Sequence, residues 1–244
     1  MKLFFVRHGE QGEGYSALTE SGRDEMKEVG EILGCNNTVI VFYPPGTRFV
    51  QSAEILLGNL NSPYKRREVR NLSYRRINQN TPYYEGLIDS IRARRCLEYH
   101  IHYSDNHIRE SGEHISSYTT MAALTSRLLL KYIDIQNRFS DDSTVDIQRV
   151  FCAREFIWSC FRAKLIELKY GKEAMLEYVD WYSQTQEGNP DARKSIACIS
   201  SIASENSSNV IHISDVYSEE EIPVSDLECI IEQEEDLFEN SIKF

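Results

Sequence analysis

Two hydrophobic rhythms alternate along the chain. Short apolar runs stand at residues 3–6 and 39–42, with a third, more mixed run at 145–153. Strands covered on both faces read this way. Between and beyond them the apolar positions recur every three or four residues. Thr19 is a fair N-cap for a helix carrying Met26, Val29, Ile32 and Leu33, and Gly34 ends it. A second helix is expected over 48–57. A long amphipathic one is expected over 115–137, with Leu128, Leu129, Tyr132 and Ile133 on one side. Helices over 156–168 and 171–182 and two closing strands near 195–200 and 210–213 complete the reading. Strands alternating with helices predict an α/β domain whose sheet is mainly parallel with right-handed crossovers. Residues 71–110 show few clear periods, and no internal repeat is visible.

Composition changes this picture little in the body of the chain and more at its end. The 244 residues suffice for one large domain, and 41% hydrophobic with 27% charged residues is ordinary for a globular protein. The net charge of −11 argues against nucleic acid or an anionic membrane surface as partner. From Asp215 onward eleven acids face one base, Lys243, so the rest of the chain is near neutrality. Six cysteines without C-x-x-C pairing, several in apolar runs, favour a reducing cytoplasm over a disulfide framework. No run approaches the ~18 apolar residues of a membrane span. The opening stretch, cut off by Arg7, is too short for a signal peptide.

The candidate chemistry sits where the first strand ends. Residues 3–6 lead straight into Arg7-His8-Gly9-Glu10, at the edge of the sheet where open α/β folds place their ligands. A histidine beside a fixed guanidinium suits phosphate, which arginine matches in charge and geometry. Gly9, Gly12 and Gly14 let backbone approach a ligand closely.

Four further segments, in order, carry a family resemblance. Leu18-Thr19-Glu20-Ser21-Gly22 resembles an L-T-x-x-G helix start. The run from Pro44-Pro45 through Arg48 to Gln51-Ser52-Ala53-Glu54 resembles S-P-x-x-R-A-x-Q-T-A-E. Glu110-Ser111 resembles G-E-S, and Val150-Phe151-Cys152-Ala153-Arg154-Glu155 falls where V-x-V-S-H-G is expected. With R-H-G-E they make the chain similar to the histidine phosphatase, or phosphoglycerate-mutase-like, superfamily.

The resemblance implies a three-layer α/β/α sandwich over 1–215, a lid-type insertion at about 71–110, and an acidic C-terminal tail over 216–244. It implies His8 as the residue that becomes phosphorylated, with Arg7 and Arg48 as catalytic phosphate-gripping cations and Glu10 beside them. It also marks two departures. Arg154 holds the position of the second histidine, where it is expected to add a third phosphate-binding guanidinium, and Asn71, in ungapped register, that of the leaving-group acid, unless Glu68 or Glu85 substitutes.

Neither metal nor organic cofactor is expected, because the arginines supply the cationic environment. The spacing of Cys96, His100, His102 and His107 does not match well-specified zinc patterns, and a surface or lid role is expected for them. The basic stretch from Lys65 to Arg95 reads as a solvated face, as a dock for the acidic tail, or as a reader of extra phosphates. The tail itself reads as a docked helix, a partner-binding segment or disorder.

The resulting expectation is a divergent phosphohydrolase acting through a phosphohistidine on a phosphorylated small molecule or phosphoprotein. Mutase activity is not expected. The rival is a pseudo-phosphatase that binds a phospho-ligand or serves as a scaffold, with a protein partner at the acidic tail.

Overall fold

A computed structural model describes residues 2–12, 17–33, 38–58, 64–70, 81–93, 95–113, 115–138, 147–185, 196–203 and 209–239. Two compact units emerge. One comprises Met1–Ser73, Tyr132–Glu155 and Arg193–Pro223; the other comprises Tyr74–Lys131, Phe156–Ala192 and Val224–Phe244.

The first unit is built on a sheet of β1 (Lys2–Arg7), β2 (Thr38–Tyr43), β3 (Tyr64–Glu68), β4 (Ile147–Ala153), β5 (Ile196–Ala203), β6 (Asn209–Ser214) and β7 (Glu219–Pro223). The order is β3-β2-β4-β1-β5-β6-β7. The first four strands in that order are parallel and β5, β6 and β7 are antiparallel. The sheet is thus mainly parallel, with an antiparallel extension on one side. Two strands lie where the sequence shows no apolar rhythm: β3 in the basic stretch and β7 in the acidic one.

Alternation along the strands sorts the apolar side chains to the two faces. Phe4, Val6, Val39, Val41, Val150 and Cys152 join one cluster with Met26 and Val29 of α1 (Glu20–Leu33) and with Phe49, Ala53 and Leu56 of α2 (Thr47–Gly58). Each large side chain so buried contributes roughly 1.5–3 kcal/mol. The alternate positions carry an aromatic row instead. Phe5 stacks on Phe151 at 5.3 Å and Phe151 on Phe42 at 4.9 Å, across β1, β4 and β2. Thr19 caps α1 as expected, its Oγ1 accepting the Gly22 N–H at 3.0 Å. Before α2, Gly46 adopts φ 132 and its carbonyl accepts from Phe49 and Val50. A side chain there would strain the turn.

The second unit is helical. It contains α3 (Pro82–Arg92), α4 (Cys96–Ser111), most of α5 (Tyr118–Arg138) and of α6 (Glu155–Tyr170), and all of α7 (Lys172–Thr185) and α8 (Val224–Glu239). The described part of 71–110 is therefore largely α3 and α4. Thr81 caps α3 ahead of Pro82 at its first turn, and α4 stops at Gly112 in the left-handed conformation, φ 68. The long helix α5 starts at Tyr118, not Ile115. Ser117 ends the preceding loop there, its Oγ accepting from the Thr120 N–H at 3.3 Å. Of the three readings of residues 216–244, a helix is what stands over Val224–Glu239, with Leu227, Ile230 and Leu237 buried. Tyr83, Leu87, Ile108, Ile115 and Leu237 form a local core. Among the described residues no helix is long and apolar enough to cross a membrane.

Candidate functional site

The register of the central strands decides which side chains meet. β1 and β4 run parallel with Val6 opposite Cys152 and Arg7 opposite Ala153. They end together, and the His8 N–H donates to the Ala153 carbonyl at 3.2 Å. Arg7 and His8 thus leave the sheet beside Arg154. The neighbouring strand β2 leads through Pro44–Gly46 into α2, whose first two turns bring Arg48, Phe49 and Ser52 to the first unit's core side. Parallel topology accounts for the gathering, because every contributing loop follows the carboxyl end of a strand.

The loop after β1 is fastened on two sides. The Gly9 N–H donates to Ser52 Oγ at 3.2 Å, and that fully buried hydroxyl also shares a hydrogen bond with the Cys152 thiol. On the other side Thr19 N–H donates to the Glu10 carbonyl at 3.0 Å, and Glu10 N–H to Glu25 Oε2 at 2.9 Å. Here two glycines are obligatory. A Cβ on Gly9 would lie 2.1 Å from the Gly22 carbonyl oxygen, and one on Gly22 would lie 2.2 Å from that of Glu10. The loop and α1 approach backbone to backbone.

His8 itself is only 7% exposed. Its Nδ1 lies 2.8 Å from the Gly9 carbonyl oxygen. A carbonyl can only accept, so Nδ1 carries the proton and Nε2 keeps its lone pair. Burial lowers the His8 pKa to about 3; the Gly9 bond opposes this, and the guanidinium groups of Arg48, Arg7 and Arg154 push it down further. The imidazole is neutral at pH 7. Among the described residues, the side-chain charges acting on it are cationic.

Arg48 is 6% exposed and donates to Gln11 Oε1 from across the loop. Its guanidinium carbon stands 4.7 Å from the centre of the Phe49 ring, and that ring meets His8 edge-on at 5.0 Å. Phe49 therefore walls both groups with apolar surface, which strengthens any electrostatic interaction beside it. Arg154 lies exposed immediately beyond β4, and Arg7 is half-buried.

Arg7, His8, Arg48 and Arg154 are thus brought together. Glu10 follows them, with its carboxylate accepting the Thr19 hydroxyl at 2.9 Å. The three candidate acid positions fare differently. Glu68 is exposed on β3, three strand spacings from β1 in the sheet, about 14 Å. Glu85 is exposed in the first turn of α3, in the helical unit. Asn71 lies outside the described residues. The motifs assign no role to Gln11, Phe49 or Ser52, although the last two stand inside the arginine-bearing segment. Ser52 stands four residues after Arg48 and so shares its helix face.

Of Cys96, His100, His102 and His107, all but His102 are used for packing. His100 is fully buried, with Nε2 3.0 Å from the Ser116 carbonyl and Nδ1 2.9 Å from the Tyr83 hydroxyl. His107 stacks on Tyr83 at 4.8 Å and lies 3.1 Å from Glu113, while His102 is exposed. Among the described residues no three potential ligands converge on a point.

No family model and no curated protein matches the chain. Solved structures do. A mycobacterial hydrolase is similar over 91% of this chain and 96% of its own, at 16% identity and a TM-score of 0.52. A second mycobacterial hydrolase covers 96% and 97%, at 15% identity and a TM-score of 0.52. A mycobacterial glucosyl-3-phosphoglycerate phosphatase covers 87% and 96%, at 16% identity and a TM-score of 0.50. Likeness at this level of identity is a statement about architecture. The chain has the α/β fold of these structures, the phosphoglycerate-mutase-like architecture that its motif segments lead one to expect.

Proposed function

We propose that the chain is a divergent histidine phosphatase that hydrolyses a phosphorylated substrate through a phosphohistidine at His8. One observation carries the reading: a neutral imidazole with an Nε2 lone pair, buried among the charges of Arg7, Arg48 and Arg154. Nε2 attacks phosphorus in line, the bond from phosphorus to the leaving oxygen breaks, and Nδ1–H stays anchored on the Gly9 carbonyl. Guanidinium groups stabilise the charge that gathers on the equatorial oxygens, and fixed cations at such a place supply much of the rate. Water then cleaves the N–P bond, giving inorganic phosphate and restoring the imidazole.

The leaving group takes up a proton in the first step. With Asn71 at the position where the resemblance implies a glutamate, general-acid help worth about 10²–10⁴-fold is missing. Substrates whose leaving groups need little protonation, such as acyl phosphates, phosphohistidine and anhydrides, then suit the site better than alkyl esters. The substrate class is a phosphorylated small molecule or a phosphoprotein. Four described cysteines that are all free thiols support a reducing, cytoplasmic setting.

Arg154 favours a second reading. A third guanidinium tightens anion binding yet cannot exchange protons, as befits a pseudo-phosphatase that holds a phospho-ligand as a scaffold. Wild type and His8→Ala compared on phosphomonoesters, acyl phosphates and nucleotides decide between the two. Turnover lost with His8, and a trapped acid-labile phosphoenzyme, uphold hydrolysis. Equal rates for the two proteins overturn it. Phosphate binding that needs Arg48, without turnover of any substrate, selects the scaffold.

A further inference from the structure

The basic and acidic stretches of the sequence acquire a definite relation once the strands are ordered. Lys65, Arg66 and Arg67 belong to β3, and Glu219, Glu220 and Glu221 to β7. Among the described residues these two strands are the opposite ends of the sheet, each with a single strand neighbour in it. One edge of the first unit is therefore basic and the other acidic. Arg66, Arg67, Glu68, Glu219 and Glu221 are exposed, and Arg66 also pairs with Glu54 of α2. Six strand spacings separate the edges, about 29 Å, so β3 and β7 of one copy cannot meet each other.

Charge on an edge strand ordinarily guards it against pairing with other chains. Either sign performs that task when an edge meets its own counterpart: β3 repels β3, and β7 repels β7. The signs here are opposite, however. The guard holds against like edges and fails for β3 against β7, where it becomes an attraction. Both strands are five residues long, about 17 Å of matching backbone, so neither overhangs the other. Ile222 is buried while Glu219, Glu221 and Pro223 are exposed, so the solvent face of β7 carries two acids, of which Glu219 also accepts from the Ser214 hydroxyl at 3.0 Å.

We propose that basic β3 and acidic β7 are the two halves of a head-to-tail contact between copies of this chain, in which strand edges pair and opposite charges select the register. Such a contact uses different surfaces on its two partners, so it propagates into short rows or a ring and does not stop at a symmetric dimer. A five-residue pairing steered by charge is weak and salt-sensitive.

Sedimentation of the full chain tests this. At about 0.01 M ionic strength, where charges act over ~30 Å, the wild type associates beyond dimers as concentration rises. At about 1 M, where they act over ~3 Å, the association is lost. Lys65→Glu with Arg67→Glu makes both edges acidic, and Glu219→Lys with Glu221→Lys makes both basic. Each variant alone is monomeric, and an equimolar mixture of the two associates again. Neutral versions (Gln at the same positions) weaken association without charge reversal and serve where a reversed variant loses its circular dichroism. A wild type monomeric throughout, a self-association indifferent to both pairs of substitutions, or a mixture that stays monomeric overturns the proposal.

Discussion

Two buried histidines, one in each unit, have nearly the same acidity and opposite uses. His8 and His100 are both pushed down to a pKa of about 3, in each case chiefly by burial. In the helical unit His100 spends both nitrogens on its neighbours: Nε2–H donates to the Ser116 carbonyl and Nδ1 accepts from the Tyr83 hydroxyl. Phe156 closes over its face at 4.7 Å. In the sheet unit, among the described residues, only Nδ1 of His8 is committed, to the Gly9 carbonyl, and the charges acting on the ring are those of three arginines. A depressed pKa marks burial in both places. A nitrogen held in reserve beside fixed cations is what the proposed reaction centre has and the packed core lacks.

The largest expected effect separates the two directly. His8→Ala removes turnover altogether with folding retained, whereas His100→Ala leaves the rate per folded molecule within about two-fold and lowers the melting temperature. Activity assays beside thermal melts check both halves, and parallel losses in the two variants would break the comparison. Next comes Arg48→Ala, which removes a guanidinium from beside His8. A fall in kcat/KM of about 10²–10³-fold is expected, the cost of deleting one preorganised charge-stabilising group. The same assay on a substrate with a good leaving group measures it.

Acid sensitivity sharpens the comparison further, because it should be shared. Both histidines bind a proton in the unfolded chain below pH 6.5 and refuse one in the fold down to about pH 3. Their effect on stability is absent above pH 6.5 and grows as pH falls through that window, by about 1.4 kcal/mol per pH unit for each. Urea unfolding at a series of pH values should show the slope, and replacing either histidine by Asn should remove one histidine's share. The smallest effect belongs to Tyr83→Phe. It leaves Nδ1 of His100 without its donor and costs roughly 1–3 kcal/mol of stability with turnover unchanged. Denaturation midpoints and the phosphatase assay together report it.

The parts of this molecule that could be read from the sequence were those where burial is apolar. β1, β2 and α2 announce themselves because their inward positions are Val, Leu, Phe and Ala. Helix α4 does not, although its buried positions Leu97, His100, Ser104 and Ile108 fall at helical spacing. Two of the four are polar and satisfy their hydrogen bonds internally, so the stripe carries no hydrophobic signal. Thr81-Pro82 before α3 and Gly112 after α4 mark helix ends, but without an apolar stripe between them they announce no helix. Strands β3 and β7 stayed hidden for the opposite reason. Edge strands with exposed side chains need no alternation, and a run of like charges reads as a solvated face. At the site, charge chemistry was legible in Arg7, His8, Arg48 and Arg154. The fastening by Ser52, Gln11 and Gly22 was not, since it depends on which loops the parallel sheet sets side by side.

The thiol beneath the site has a practical consequence. Cys152 is wholly enclosed, its pKa raised by burial to about 12 against a hydrogen bond with Ser52 that lowers it. While the fold is closed, alkylating reagents find neither access nor thiolate. Its modification rate is therefore a clock for transient opening of the β4 end, and an anion clasped by the arginines above should slow that clock.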